Sequence, residues 1–282
     1  MRIFWPDFFS ETNQRPVIQE IEKLGHKVVP MYDEECQILY CASIDRMKPI
    51  WQAKNQSPTT PLVVYCWDYY KWVHEGKSPV YRDWGLYRDL MYSADLVLVP
   101  SSGQKLRLQE LLGLSSQIVH TAVNVQKQRA TDGRFVLDPV RDYPEENLGW
   151  VERACTELDI PYVHPEHRLS QEDFEDMVSS CSFMTCAYRE ASTGGLTLVE
   201  GMYNGKPILI SDSPYMGGLD YVGEYAKTFR YNSYDDLKAR IWDMWNHPET
   251  LNTIETRRYI KKHFAPKVMA QKILDLCEPL LN

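Results

Sequence analysis

Short apolar runs rich in β-branched and aromatic residues alternate along this chain with segments of helical period, a rhythm that predicts parallel sheets with crossover helices. In the first half the expected strands are Arg2–Phe8, Lys27–Met31, Gln37–Ser43, Pro61–Asp68, Asp95–Ser101 and Ile118–Val123. Helices separate most of them. One of these, Pro16–Leu24, carries Val17, Ile18, Ile21 and Leu24 on one face and stops at Gly25, where a left-handed C-cap is easiest for glycine. In the second half the expected strands are Phe135–Val140, Tyr162–His164, Ser182–Tyr188, Pro207–Ser211 and Lys227–Tyr231. Helices are expected at Leu148–Leu158, Gln171–Cys181 with Ser170 as N-cap, and Tyr234–Trp245. The fold class is α/β.

The polar stretch Asn124–Gly133 has no apolar period and reads as a linker between two domains. A chain of 282 residues suits two such domains of about 130 residues each. The expected division is therefore 1–124, 134–248, and a tail 249–282 of two helices broken at Ala265 and Pro266. Composition changes this picture little: 44% hydrophobic and 25% charged residues fit a folded protein and exclude a disordered one. A net charge of -8 disfavours a broad phosphate-backbone footprint but leaves room for a local basic patch. The cysteines (Cys36, Cys41, Cys66, Cys155, Cys181, Cys186, Cys277) are scattered without zinc-ligand spacing, and most are expected to be reduced and buried. No apolar run reaches a membrane span, and the start MRIFWPDFFS lacks signal-peptide character, so a cytoplasmic location is expected.

Candidate chemistry concentrates in Tyr188–Ser213, YREASTGGLTLVEGMYNGKPILISDS, which passes from a strand through a Gly-Gly turn into a short helix and back to a strand. Gly194 and Gly195 allow close backbone approach, and the first helical amides, Leu196 and Thr197 among them, offer unpaired donors suited to a phosphate. The alternative for the glycines is tight strand-helix packing. Glu200, further into the helix, cannot cap it, but suits two vicinal hydroxyls such as those of a ribose. Its plainer reading is a solvated helical glutamate.

The order STGGLTLVEGMYNGKPILIS resembles the donor-site segment of retaining glycosyltransferases of the GT-B fold, family 4 or group 1, where the pattern is E-x-F-G-L-x-x-x-E-A-M-A-x-G-x-P-V. ADLVLVPSSGQKLRLQELLGL and QIVHTAVN upstream, and SPYMGGLDYVGEYAKTFRY downstream, resemble that family in the same order. The resemblance covers roughly Ser93 to Trp245. It implies two Rossmann-like domains facing each other across a cleft, a nucleotide-sugar donor held by the second, and transfer to an acceptor hydroxyl with retention. The donor contacts it implies are Arg141, Arg189, Thr193, Gly194, Gly195, Leu196, Thr197 and Glu200. The donor is guessed to be a UDP-sugar, no other cofactor is expected, and basic side chains with helix amides are expected to stabilise the leaving diphosphate in place of a metal.

Two departures stand out. The glutamate that opens the family motif falls at Ser192, while Glu190 lies just before it, so the group contacting the donor sugar is one or the other. The stretch VLDPVRDYPEENLGW keeps Arg141 of a phosphate clamp but has Glu146 near the usual lysine, a loss that Arg189 either replaces or, as a surface ion-paired residue, does not.

On the acceptor side the resemblance points to the loop after the fourth strand, CWDYYKWVHEGKSPVYRDWGLYRD. Its aromatic and basic residues, with Trp67, Tyr69, Tyr70 and Lys71 foremost, suit sugar rings or nucleobases. Asp68 is either an orienter or base for the acceptor hydroxyl or a helix N-cap. His74 and His120 have no visible partner and are expected to be structural. The acceptor class is open among a glycan, a small molecule and a hydroxylated base in phage-type DNA, which would require base flipping. Ser192 and the missing lysine also suit an inactive nucleotide-sugar-binding module. A nicotinamide oxidoreductase is disfavoured because WPDFFSETN, not a G-x-G-x-x-G turn, follows the first strand.

Overall fold

The computed structural model describes residues 1–6, 14–42, 44–67, 69, 71–76, 83–123, 133–139, 149–165, 170–187 and 195–282. By its contacts the chain divides into two compact units, Met1–Asn124 with His263–Asn282, and Val125–Lys262. Each is a parallel α/β sheet.

The first unit runs β1 (Arg2–Phe4), α1 (Gln14–Lys23), β2 (Lys27–Val29), β3 (Ile38–Cys41), α2 (Met47–Gln56), β4 (Leu62–Tyr65), α3 (Lys71–His74), α4 (Trp84–Tyr92), β5 (Leu96–Val99), α5 (Ser102–Leu112) and β6 (Gln117–Ile118). The strands pair in the order β2-β1-β3-β4-β5-β6. Alternate residues of one strand feed different cores, which is why the strands read as continuous apolar runs. Ile3, Ile38, Tyr40, Val63 and Tyr65 face one core, and Phe4, Leu39, Cys41, Leu62 and Val64 the other. Val17, Ile18 and Ile21 of α1 cover the former, as the helical period predicts. Gly25, at φ 86°, ends that helix.

The second unit runs β7 (Val136–Leu137), α6 (Trp150–Leu158), β8 (Tyr162–Val163), α7 (Gln171–Ser180), β9 (Phe183–Cys186), α8 (Gly195–Tyr203), β10 (Ile208–Ser211), α9 (Gly218–Val222), β11 (Ala226–Phe229), α10 (Tyr234–Asn246) and α11 (Thr253–His263). Its order is β11-β10-β9-β7-β8. The Ser170 hydroxyl caps α7, accepting from the Asp173 amide at 3.1 Å. Helices α6 and α10 cover one face, burying Val151, Ala154, Cys155, Leu237, Ile241 and Met244 against Val136, Phe183, Leu209 and Phe229.

Of the tail 249–282, α11 stays with the second unit. The Thr256 hydroxyl donates to Met202 O at 3.0 Å, and Arg257 donates to Tyr203 O at 2.9 Å. The chain re-enters the first unit at His263, and α12 (Pro266–Cys277) then buries Met269, Ala270, Ile273, Leu274 and Cys277 beside α1. Most of the expected linker, 124–132, lies outside the described residues.

Observed strands are shorter than the apolar runs because buried residues continue past the regular ladder. Trp5 and Cys66, for example, still donate their amides to Val29 O and Leu98 O at 3.0 and 2.8 Å. All the cysteines are free and buried.

Candidate active site

In an open parallel sheet, ligands bind at the carboxyl ends of the strands where the strand order reverses. In the second unit the chain moves from β7 out to β8, then crosses back to place β9 on the other side of β7. The crevice therefore opens between the carboxyl ends of β7 and β9. Helix α8 begins shortly after β9, so its first amides belong to this edge.

Gly201 fixes how close α8 lies to the sheet. A β-carbon there would collide with Met184 Sδ of β9. The helix stops at Tyr203, and Gly205, at φ 78°, turns the chain toward Pro207 and β10.

Leu196 and Thr197 are half-buried in the first turn of α8, and Glu200 is half-buried further along the helix. Burial, followed by repulsion from Glu175 on α7, raises the Glu200 carboxyl from its ordinary 4.5 to about 7. It is therefore not the solvated helical glutamate of its plainer reading.

At the end of β7, Asp138 is 2% exposed. Its amide continues the ladder to Val163 O at 3.0 Å, and its carbonyl receives Nδ1 of His164 at 3.1 Å. The same imidazole nitrogen lies 3.8 Å from the Asp138 carboxylate. Burial and then the Asp138 charge push the Cys155 thiol up to about 12, so that cysteine is inert. Neither Asp138 nor His164 stood out from the sequence. The available signal was an acid and a histidine directly after two apolar strands that pair with each other.

No protein-family model and no curated protein matches this chain. Solved structures match over nearly its full length. Sucrose-phosphate synthase from Thermosynechococcus elongatus aligns at 12% identity and a TM-score of 0.72, covering 99% of this chain and 98% of that one. HepE from Anabaena, in complex with UDP-glucose, aligns at 12% identity and a TM-score of 0.67, covering 99% and 100%. The lipopolysaccharide outer core galactosyltransferase WaaB, in its apo form, gives 12%, 0.67, 99% and 100%. The fold is GT-B. At such identity the likeness carries architecture and no residue roles.

Within this GT-B chain the expected site residues Asp68, Tyr70, Arg141, Arg189, Glu190, Ser192, Thr193 and Gly194 lie outside the described residues. Gly195, Leu196, Thr197 and Glu200 come together on α8. The aromatic stretch after β4 folds in part as α3 and α4, and much of it is core. Tyr69 is 2% exposed, with its hydroxyl 3.3 Å from His74 Nδ1 and its ring edge-on to Trp84. The Tyr87 hydroxyl donates to Tyr65 O at 3.1 Å. His120 Nδ1 donates to Pro100 O at 2.9 Å. Trp67 is half-buried against Tyr65, and Lys71 is exposed, 3.9 Å from Glu75.

Among the described residues no cluster of His, Cys, Asp and Glu is able to hold a metal ion, and no helix is long and apolar enough to cross a membrane.

Proposed function

We propose that this chain is a glycosyltransferase that moves a sugar from a nucleotide-diphosphate sugar to an acceptor hydroxyl, with retention, without a divalent metal and in the cytoplasm. The observation that carries the reading is the start of α8 at the sheet's switch point, followed by the desolvated Glu200 on the same helix. In this reading the first amides of α8, with Arg141 and Arg189, receive the diphosphate. Glu200 as a carboxylate accepts the ribose hydroxyls, and Glu190 or Ser192 with Thr193 and Gly194 faces the donor sugar. Asp68 orients the acceptor hydroxyl or takes its proton, beside Trp67, Tyr70 and Lys71. Positive charge and amide dipoles fixed before the reaction supply most of the rate, because the diphosphate gains charge as it leaves.

The test is release of nucleoside diphosphate from a panel of UDP-, GDP-, ADP- and dTDP-sugars. Parent protein is expected to release one of them, with or without acceptor, and EDTA is expected to leave the rate intact. Arg141→Ala is expected to lower turnover by about a hundredfold or more with the melting temperature unchanged. Binding of a nucleotide sugar without any turnover would replace this reading with the inactive module. Binding of none would end it, and equal turnover in Arg141→Ala would remove that residue from the site.

A further inference from the structure

The carboxyl edge of the second sheet holds a polar pair that the diphosphate site does not use. Asp138 follows β7 and His164 follows β8, and the ladder sets Leu137 beside Val163, so the two residues emerge side by side. A carbonyl only accepts, so the 3.1 Å contact to Asp138 O requires the proton on His164 Nδ1. The Asp138 carboxylate, 3.8 Å from the same nitrogen, favours that tautomer as well. With Nδ1 committed as donor, Nε2 is the acceptor of the neutral ring. That atom is buried and has no hydrogen-bond partner. A buried acceptor left unpaired is unfavourable, and proteins rarely keep one without a use.

The position decides what ligand group would supply the missing donor. β8 stands on the far side of β7 from β9, one strand spacing of about 4.8 Å outward from the crevice. A diphosphate in the crevice and a ribose on Glu200 leave the nucleobase as the part of a nucleotide able to reach past β7. An ionised phosphate offers Nε2 only acceptors, whereas a base offers N–H groups and a flat face. Tyr162 lies parallel to the His164 ring, interplanar angle 8° and centroids 6.5 Å apart, and adds a second flat surface.

We propose that the Asp138–His164 pair recognises the base of the donor nucleotide, with His164 Nε2 accepting one base N–H and Asp138 holding the ring in the required tautomer. The assignment rests on the nucleotide-sugar reading above. Asp138 is a positioning residue, and the base displaces whatever covers Nε2.

Calorimetry tests it with uridine, guanosine, adenosine and thymidine diphosphates and with inorganic pyrophosphate. His164→Asn keeps an N–H donor where Nδ1 stands and removes the Nε2 acceptor. It is expected to bind the preferred diphosphate about tenfold more weakly and to lose the preference among bases, while pyrophosphate binding stays unchanged. On the parent protein, the ¹⁵N resonance of His164 Nε2 is expected to move with the preferred diphosphate and not with pyrophosphate, a readout that needs no variant. Base preference retained in His164→Asn, an equal loss for pyrophosphate, or an unmoved resonance would each overturn the proposal. A parent that binds pyrophosphate and all four diphosphates alike would overturn it and leave the glycosyltransferase reading standing. A parent that binds none of the ligands would overturn both.

Discussion

The two sheets share a strand rhythm but finish their carboxyl edges with different chemistry. In the first unit, two residues that leave the strands have polar atoms that find partners. Trp5, after β1, donates Nε1 to Gln14 Oε1 at 3.3 Å and packs its ring, tilted, 4.1 Å from that of Tyr40, while Ser101 after β5 caps α5. In the second unit the edge carries buried Asp138 after β7, the unpaired acceptor of His164 after β8, and half-buried Glu200 on the helix after β9. Apolar edges of this kind stabilise a fold, and polar edges that stay incompletely satisfied are kept at a cost. The proposed nucleotide site lies on the second of these edges.

The strongest challenge to that contrast is removal of the chain after Ala265. Helix α12 buries Met269, Ala270, Ile273, Leu274 and Cys277 in the first unit. At about 1.5–3 kcal/mol for each large apolar side chain, the loss approaches the whole net stability of a domain. Hydrogen exchange is expected to accelerate throughout 1–123, and unchanged exchange there would mean the first core does not depend on α12.

Next in size is Tyr69→Ala. As a core residue packed with Trp84 and His74, Tyr69 is expected to cost about 3–5 kcal/mol on truncation. Tyr69→Phe is expected to leave acceptor use intact. A Tyr69→Phe variant of full stability but impaired acceptor affinity would return this residue to the binding surface and weaken the comparison.

The pH dependence of Glu200 comes third. Its folded-state value, about 7, stands above the ordinary 4.5, so the folded state holds the proton more tightly than the unfolded one. Stability is fully present below the unfolded value and is lost as pH rises toward about 7, an effect of about 3 kcal/mol at most. Glu200→Gln is expected to abolish that loss in urea denaturation at pH 5 and pH 8, both about the edges of the titration. Donor affinity runs the other way, since ribose hydroxyls need the carboxylate, and is expected to rise with pH through the same range. Identical pH profiles for parent and Glu200→Gln would place the carboxyl in water.

The smallest expected effect is that of Lys71→Ala. Its exposed contact with Glu75 is worth less than about 0.5 kcal/mol. Melting should not move, so any change in acceptor KM would report binding alone.

The α/β class and most element positions were legible in the sequence because strands buried on both faces must be apolar throughout and surface helices must carry one apolar face. Val17, Ile18 and Ile21 on α1, the Gly25 stop and the Ser170 cap all followed from such local rules. The helix Gly195–Tyr203 was legible for the same reason, since strand, helix and strand follow one another in the chain. The aromatic stretch after β4 was only partly legible, because aromatic density is equally suited to a sugar platform and to a core. Only packing separates the two, and here α4 turns Tyr87 inward to Tyr65. The short α9 also escaped the pattern.

The sequence by itself determined most of the elements and their order, because these depend on neighbours within a few residues. Tertiary structure alone decided the strand order, hence the switch point between β7 and β9, since crossover connections leave no mark on local periodicity. It alone joined Asp138 to His164 across 26 positions, and raised Glu200 toward neutrality through burial and Glu175 of another helix. Burial and charge proximity are properties of the packed molecule, and a sequence states the groups without stating which of them lose their water.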